Sequence, residues 1–137
     1  MIVHFQIPGR PKSKGRPRFG NGRTYTPAAT QNQEAFIKIL ATQAMGDLAR
    51  CADPVAVTID IAISPPKSMP KRQRDEALCG LLRPAKKPDC DNIVKLISDA
   101  LNGIVWVDDS QVVDLVVKKR YAADDITTVL VSKASAA

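Results

Sequence analysis

The stretch KPDCDNIVKLISDALNGIVWVDDSQ, Lys87–Gln111, decides how this chain is read. Ile93, Leu96, Ile97, Ala100 and Leu101 recur at i, i+3, i+4, i+7 and i+8, the spacing of an amphipathic helix whose apolar face enters a core. Asp91, Lys95 and Asp99 fall at i, i+4 and i+8 and line the opposite face. Asp89, directly after Pro88, is a good N-cap residue, and Asn102-Gly103 stops the helix. Ile104–Val107 then leads to a second acid pair, Asp108-Asp109. Four carboxylates around one short helix stand out in a chain whose formal net charge is +6.

Each acid has an ordinary explanation. Asp89 can cap, Asp91 suits the positive end of a helix and pairs with Lys95, and Asp108-Asp109-Ser110 reads as a turn. Surface pairing accounts for two of the four at most. As a set, they are expected to be brought near each other by the helix and its return connection, as a site for a hard cation. Mg²⁺ takes oxygen ligands and uses few protein carboxylates, leaving positions for water and phosphate. Asp89 and Asp91 point the same way if the helix begins only after them, and Asp109 then completes the set. Lys95 is placed to orient a ligating carboxylate or to stabilise charge on an attacked phosphate. Asp99, two turns beyond Asp91, is assigned to the fold or to holding Lys95.

Working outward, apolar residues alternate over residues 2–7 and 55–63, which predicts two strands. Residues 112–121 and 126–131 read as two more, joined as a hairpin through Ala122–Asp125. Phe36, Leu40, Ala44 and Leu48, with Ile37 and Ala41 beside them, predict a core-facing helix stripe. Pro27 suits its first turn, and Thr30 with Gln33 has the spacing of a capping box. A shorter helix falls within residues 68–82, its basic side carrying Lys71, Arg72 and Arg74. No repeat or composition break divides the chain. Residues 1–137 are therefore expected to form a single α/β (α+β) domain, a small mixed sheet packed with helices.

Residues 10–23 hold Arg10, Lys12, Lys14, Arg16, Arg18 and Arg23 and no acid, and their interleaved Pro and Gly predict a loop. Arg and Lys on an adaptable backbone can follow a sugar-phosphate path, so DNA is the expected partner. An acid cluster alone would repel DNA, and a basic loop alone would bind without cutting. Phosphodiester hydrolysis needs both. Aromatic residues, at 4%, are too few for a base-stacking platform. Three cysteines without a CxxC pair argue against a zinc site or a disulfide framework and suit a reducing cytoplasm. A signal-peptide pattern and a bilayer-spanning apolar run are both missing, so a cytoplasmic protein with no membrane partner is expected.

The motif is specific beyond its chemistry. Lys87-Pro88-Asp89-Cys90-Asp91-Asn92, Lys95, Asp99-Ala100-Leu101 and Asp108-Asp109-Ser110-Gln111-Val112-Val113 resemble the RusA family of Holliday-junction resolvases, the phage and prophage endodeoxyribonucleases. Lys14–Arg18 agrees more loosely. The resemblance implies a homodimer of mixed α/β fold that cleaves four-way junctions in DNA recombination and repair. It implies Mg²⁺, with Mn²⁺ as a substitute, held by Asp89, Asp91 and Asp109 with Asp108 in a supporting place and Lys95 assisting catalysis. A two-fold dimer suits that task, because it sets one active site on each of two opposed strands. Two other readings compete. One is a non-catalytic DNA-binding protein of phage replication or packaging; the other is a DxD nucleotidyltransferase, which would be expected to carry a Gly-Ser that this chain lacks.

Overall fold

The computed structural model describes residues 2–11, 18–20, 23–25 and 28–137. In chain order the elements are β1 (Val3–Pro8), β2 (Arg18–Gly20), β3 (Arg23–Tyr25), α1 (Ala28–Met45), β4 (Val55–Ile63), α2 (Lys71–Leu78), α3 (Cys90–Leu101), a 3₁₀ turn (Asp109–Gln111), β5 (Val112–Tyr121) and β6 (Ile126–Lys133). Four strands make one mixed sheet in the order β1-β6-β4-β5, and β2 and β3 pair separately. β6 is antiparallel to both of its neighbours, while β5 runs parallel to β4 at the edge. The α+β class and the mixed sheet expected from the sequence are both present.

Period-two patterning sets the layers. Val3, Phe5, Ile7, Val57, Ile59, Ile61, Val129 and Val131 all face one side and are buried there with Ile37, Ala41 and the apolar stripe of α3. The other side stays open: His4, Gln6, Thr58, Asp114, Val116 and Lys118 are exposed on it. Across the buried face one row runs Ile7–Thr127–Ile61–Lys119. A lysine ends that buried row at the sheet edge.

All five apolar positions predicted for α3 are buried. Burying its four large aliphatics contributes about 1.5–3 kcal/mol each. The same face is continued by Val105 and Trp106, which are wholly buried, and the indole N–H of Trp106 donates to Asn102 Oδ1 at 2.6 Å. Gly103, at φ 80°, makes the left-handed turn that reverses the chain after α3.

Four local expectations are corrected. The predicted hairpin between the last two strands does not form, because β4 lies between β5 and β6. Four residues reach about 13 Å when extended, enough to step over one intervening strand. Asp125 fixes that step, accepting from Ser64 N at 2.6 Å and Ser64 Oγ at 3.0 Å. On α1 the fully buried stripe is Ile37, Ala41 and Met45, with Leu40 and Ala44 half-buried against the core as expected, whereas Phe36 is exposed and Leu48 lies exposed beyond the helix end. Apolar residues cover more than one face of that helix, and packing on α3 and β1 selects the face. Thr30 lies inside α1 and not at its N-cap, and Pro27 lies outside the described residues. The basic stretch is not all loop, since Arg18–Gly20 and Arg23–Tyr25 pair as an antiparallel ladder.

Candidate active site

The first half of the site is the start of α3. Asp89 occupies the N-cap with extended backbone, but its carboxylate makes no capping hydrogen bond. Its Oδ2 receives only a long bond, 3.5 Å, from Asn92 Nδ2. Asp91 lies in the first turn, exposed and without a partner among the described residues. The positive end of the helix favours both anions. Because α3 begins at Cys90, Asp91 is already helical, and the parallel projection expected of two acids in an extended segment does not apply. One turn on, Lys95 Nζ lies 3.4 Å from Asp99 Oδ1. Asp99 therefore holds Lys95, one of the two roles the sequence offered it, and the expected Asp91–Lys95 pair is not formed.

What sequence reasoning missed is how the approach to Asp89 is fixed. Lys119 Nζ donates to the carbonyl of Lys86 at 2.6 Å and to that of Pro88 at 2.9 Å. Arg83 in turn grips Lys119, donating to its carbonyl through Nε at 3.1 Å and Nη2 at 2.8 Å. A lysine aligned with apolar neighbours on β5 was the only available signal.

The second half is the corner before β5. Asp108 caps the 3₁₀ turn in a reciprocal capping box: its carboxylate accepts from Ser110 N at 3.1 Å, and Gln111 Oε1 accepts from Asp108 N at 2.9 Å. Hydrogen bonds from Ser110 hold the Asp108 carboxyl below its usual range. Gln111 also accepts from Val107 N and donates to the carbonyls of Cys51 and Asp53. The Asp109 carboxylate is exposed and has no partner among the described residues.

The two halves are not brought together within one chain. α3 starts beside Lys119 near the end of β5, and the segment after it meets Cys51 at the approach to β4, where Cys51 N donates to the carbonyl of Val105. The helix thus runs antiparallel to β4 and β5. Asp89 and Asp91 sit at one end of these twelve residues and Asp108 and Asp109 past the other, a separation of about 18 Å along the helix axis. Among the described residues no three His, Cys, Asp or Glu side chains form a group that could hold a metal. The donor chemistry itself suits Mg²⁺. Asp89, Asp91 and Asp109 offer exposed hard-oxygen donors not taken up by capping, and Mg²⁺ is commonly held by one or two carboxylates with water and phosphate completing its shell.

Of the basic set, Arg10 is exposed, Arg18 and Arg23 lie in the β2–β3 ladder, and Lys12, Lys14 and Arg16 lie outside the described residues. Lys71 and Arg72 are exposed on α2, where Arg72 pairs loosely with Glu76, while Arg74 donates to the carbonyls of Pro66 and Lys67. No helix among the described residues is long and apolar enough to cross a membrane.

The model of the family described as "Endodeoxyribonuclease RusA" matches residues 8–132. The chain is also 36% identical over 140 residues to the uncharacterized protein YqaN of Bacillus subtilis (strain 168), covering 98% of each.

Proposed function

Because this chain belongs to the RusA endodeoxyribonuclease family, we propose that it resolves Holliday (four-way) junctions by metal-dependent phosphodiester hydrolysis in DNA recombination and repair. The observation that carries this reading is the start of α3: Asp89 at the N-cap with its carboxylate left out of capping, Asp91 exposed beside it, and Lys95 steadied by Asp99. Asp89, Asp91 and Asp109 would hold Mg²⁺, or Mn²⁺ in its place, and Asp108 would support Asp109 by capping its turn. When bound, the cation would polarise the scissile phosphate and acidify a water. Lys95 presents an ammonium to the charge that grows on the attacked phosphate. Arg10, Lys12, Lys14, Arg16, Arg18 and Arg23 bind the sugar-phosphate backbone of the branched DNA and set its register.

The separation of the two acid groups gives the expected homodimer a chemical purpose. Val113, Leu115 and Val116, with Asp114 among them, are exposed along the N-terminal half of the edge strand. A two-fold axis through that patch sets one β5 antiparallel to the other. The α3 start of one copy then stands level with the Asp109 of its partner, and each metal site draws Asp89 and Asp91 from one copy and Asp109 from the other. We place the protein in the cytoplasm, as a prophage-type resolvase.

Asp91→Asn tests the assignment. Cleavage of a mobile four-way junction in Mg²⁺ should fall by on the order of 10² or more, with metal-free junction binding within about twofold of the parent. Full cleavage by the variant would sink it. The second reading, a non-catalytic DNA-binding protein of phage replication or packaging, draws on the same separation of Asp109 from Asp89. It is favoured if junctions are bound but no branched substrate is cut in Mg²⁺ or Mn²⁺.

A further inference from the structure

An aspartate at a helix N-cap ordinarily fixes the helix start by accepting a backbone N–H with its own carboxylate. Asp89 does not do so. The entry to α3 is instead held from outside, by the Lys119 ammonium on the carbonyls of Lys86 and Pro88. From the electrostatics alone this is a poor place for a cation, because the helix dipole is positive at that end. The two carbonyls turn their negative ends to the ammonium and offset the cost. Lys119 is half-buried at the end of the buried row beside Ile61, so the head has a firm base, and Arg83 grips the Lys119 carbonyl in return.

We infer that Lys119 is a positioning residue for Asp89: it takes over the task of fixing the start of α3, with Arg83 bracing it, and so frees the Asp89 carboxylate for the reaction. This rests on the endonuclease reading for its purpose, but the mechanical part stands apart from it. Lysine supplies three N–H donors on a long stem, and two are used here on the carbonyls of Lys86 and Pro88. Removing the ammonium should leave the buried stripe of α3 seated and loosen only its first turn. That turn opens with the bond from Ile93 N to the Asp89 carbonyl at 3.1 Å.

The experiment compares the full-length parent with Lys119→Met, Lys119→Arg and Arg83→Leu. Two readouts are taken: amide hydrogen exchange, and junction cleavage split into kcat and KM. In Lys119→Met, exchange at Ile93 and Val94 should rise about tenfold or more with Leu101 and Ile59 unchanged, the pattern of local opening. A displaced carboxylate should lower kcat by on the order of tenfold to a hundredfold and leave KM within about twofold. Lys119→Arg, which keeps a donor cation on a long stem, should recover most of both. Arg83→Leu should shift both readouts the same way by less, and it carries the test alone if Lys119→Met fails to fold. Unchanged exchange at Ile93 in both Lys119→Met and Arg83→Leu overturns the inference, as does an equal rise throughout the chain in Arg83→Leu. If the parent cuts no branched DNA while local exchange at Ile93 still rises, the endonuclease reading fails and the bracing of α3 by Lys119 stands.

Discussion

The side-chain oxygen of Gln111 accepts the backbone N–H of Asp108 at 2.9 Å, and its amide donates to the carbonyls of Cys51 and Asp53, also at 2.9 Å. One half-buried side chain thereby fastens the Asp108-Asp109 corner to the segment entering β4. Gln111→Ala strands four backbone groups, counting Val107 N, and water can rescue only part of them. The expected loss is about 2–3 kcal/mol of stability. Urea unfolding with the parent as reference measures it, and an unchanged midpoint would show that the corner holds without Gln111.

Acid titration isolates the capping role of Asp108. Its folded-state carboxyl is held below the ordinary value by bonds from Ser110, so the folded form favours the anion. The stability this brings is present above the unfolded carboxyl value, about 3.9, and is lost as pH falls through the lower folded value. Asp108→Ala should therefore unfold more readily than the parent near neutrality. The gap should close at pH values below the depressed carboxyl. A gap that persists unchanged to pH 2 would assign the effect to packing in place of charge.

Subunit mixing separates a shared metal site from one built within a chain. Asp89→Asn and Asp109→Asn are each expected to be inactive. In a freely exchanging mixture half the dimers are mixed, each with one intact composite site, so about one quarter of the parental nicking should return. A site confined to one chain predicts no recovery, since every copy then carries a defect.

Salt dependence reads out the basic stretch. Neutralising Arg16 and Arg18 together should weaken junction binding and reduce the slope of log K against log salt by about 2, one for each phosphate that the variant leaves to its counterions. Anisotropy titrations without divalent metal keep binding apart from cleavage. An unchanged slope would remove these residues from the interface.

Much of the fold was legible because its signals are local. The β4 strand was read at its observed bounds from strict alternation, and α3 from an unbroken apolar stripe with a glycine past its end. Spacing offered Lys95 an i,i+4 partner on either side, Asp91 or Asp99, and the structure pairs it with Asp99 where the sequence reading had paired it with Asp91. The α1 stripe was misplaced only at Phe36 and Leu48: apolar residues span two faces of the helix, so a neighbouring surface has to choose between them, and the helix ends at Met45, before Leu48. The hairpin was misread because two alternating runs and a short connection look the same whether or not a third strand lies between them. Lys119 and Arg83 went unnoticed for a related reason: each acts on backbone carbonyls more than thirty residues away, with no periodic mark in the sequence.

The sequence by itself determined the helix of Lys87–Gln111 with its buried stripe and the kinship with the RusA family, and it nominated the residues proposed to carry the chemistry. It suggested that four nearby acids would converge. The tertiary structure decided otherwise, because a helix that must bury Ile93, Leu96, Ile97 and Leu101 against the sheet has to lie along it. Lying antiparallel to β5, it carries Asp89 and Asp91 to one end and leaves Asp109 at the other. Sequence proximity nominates the groups of the candidate site, whereas the direction of the packed helix sets which of them can meet within one chain.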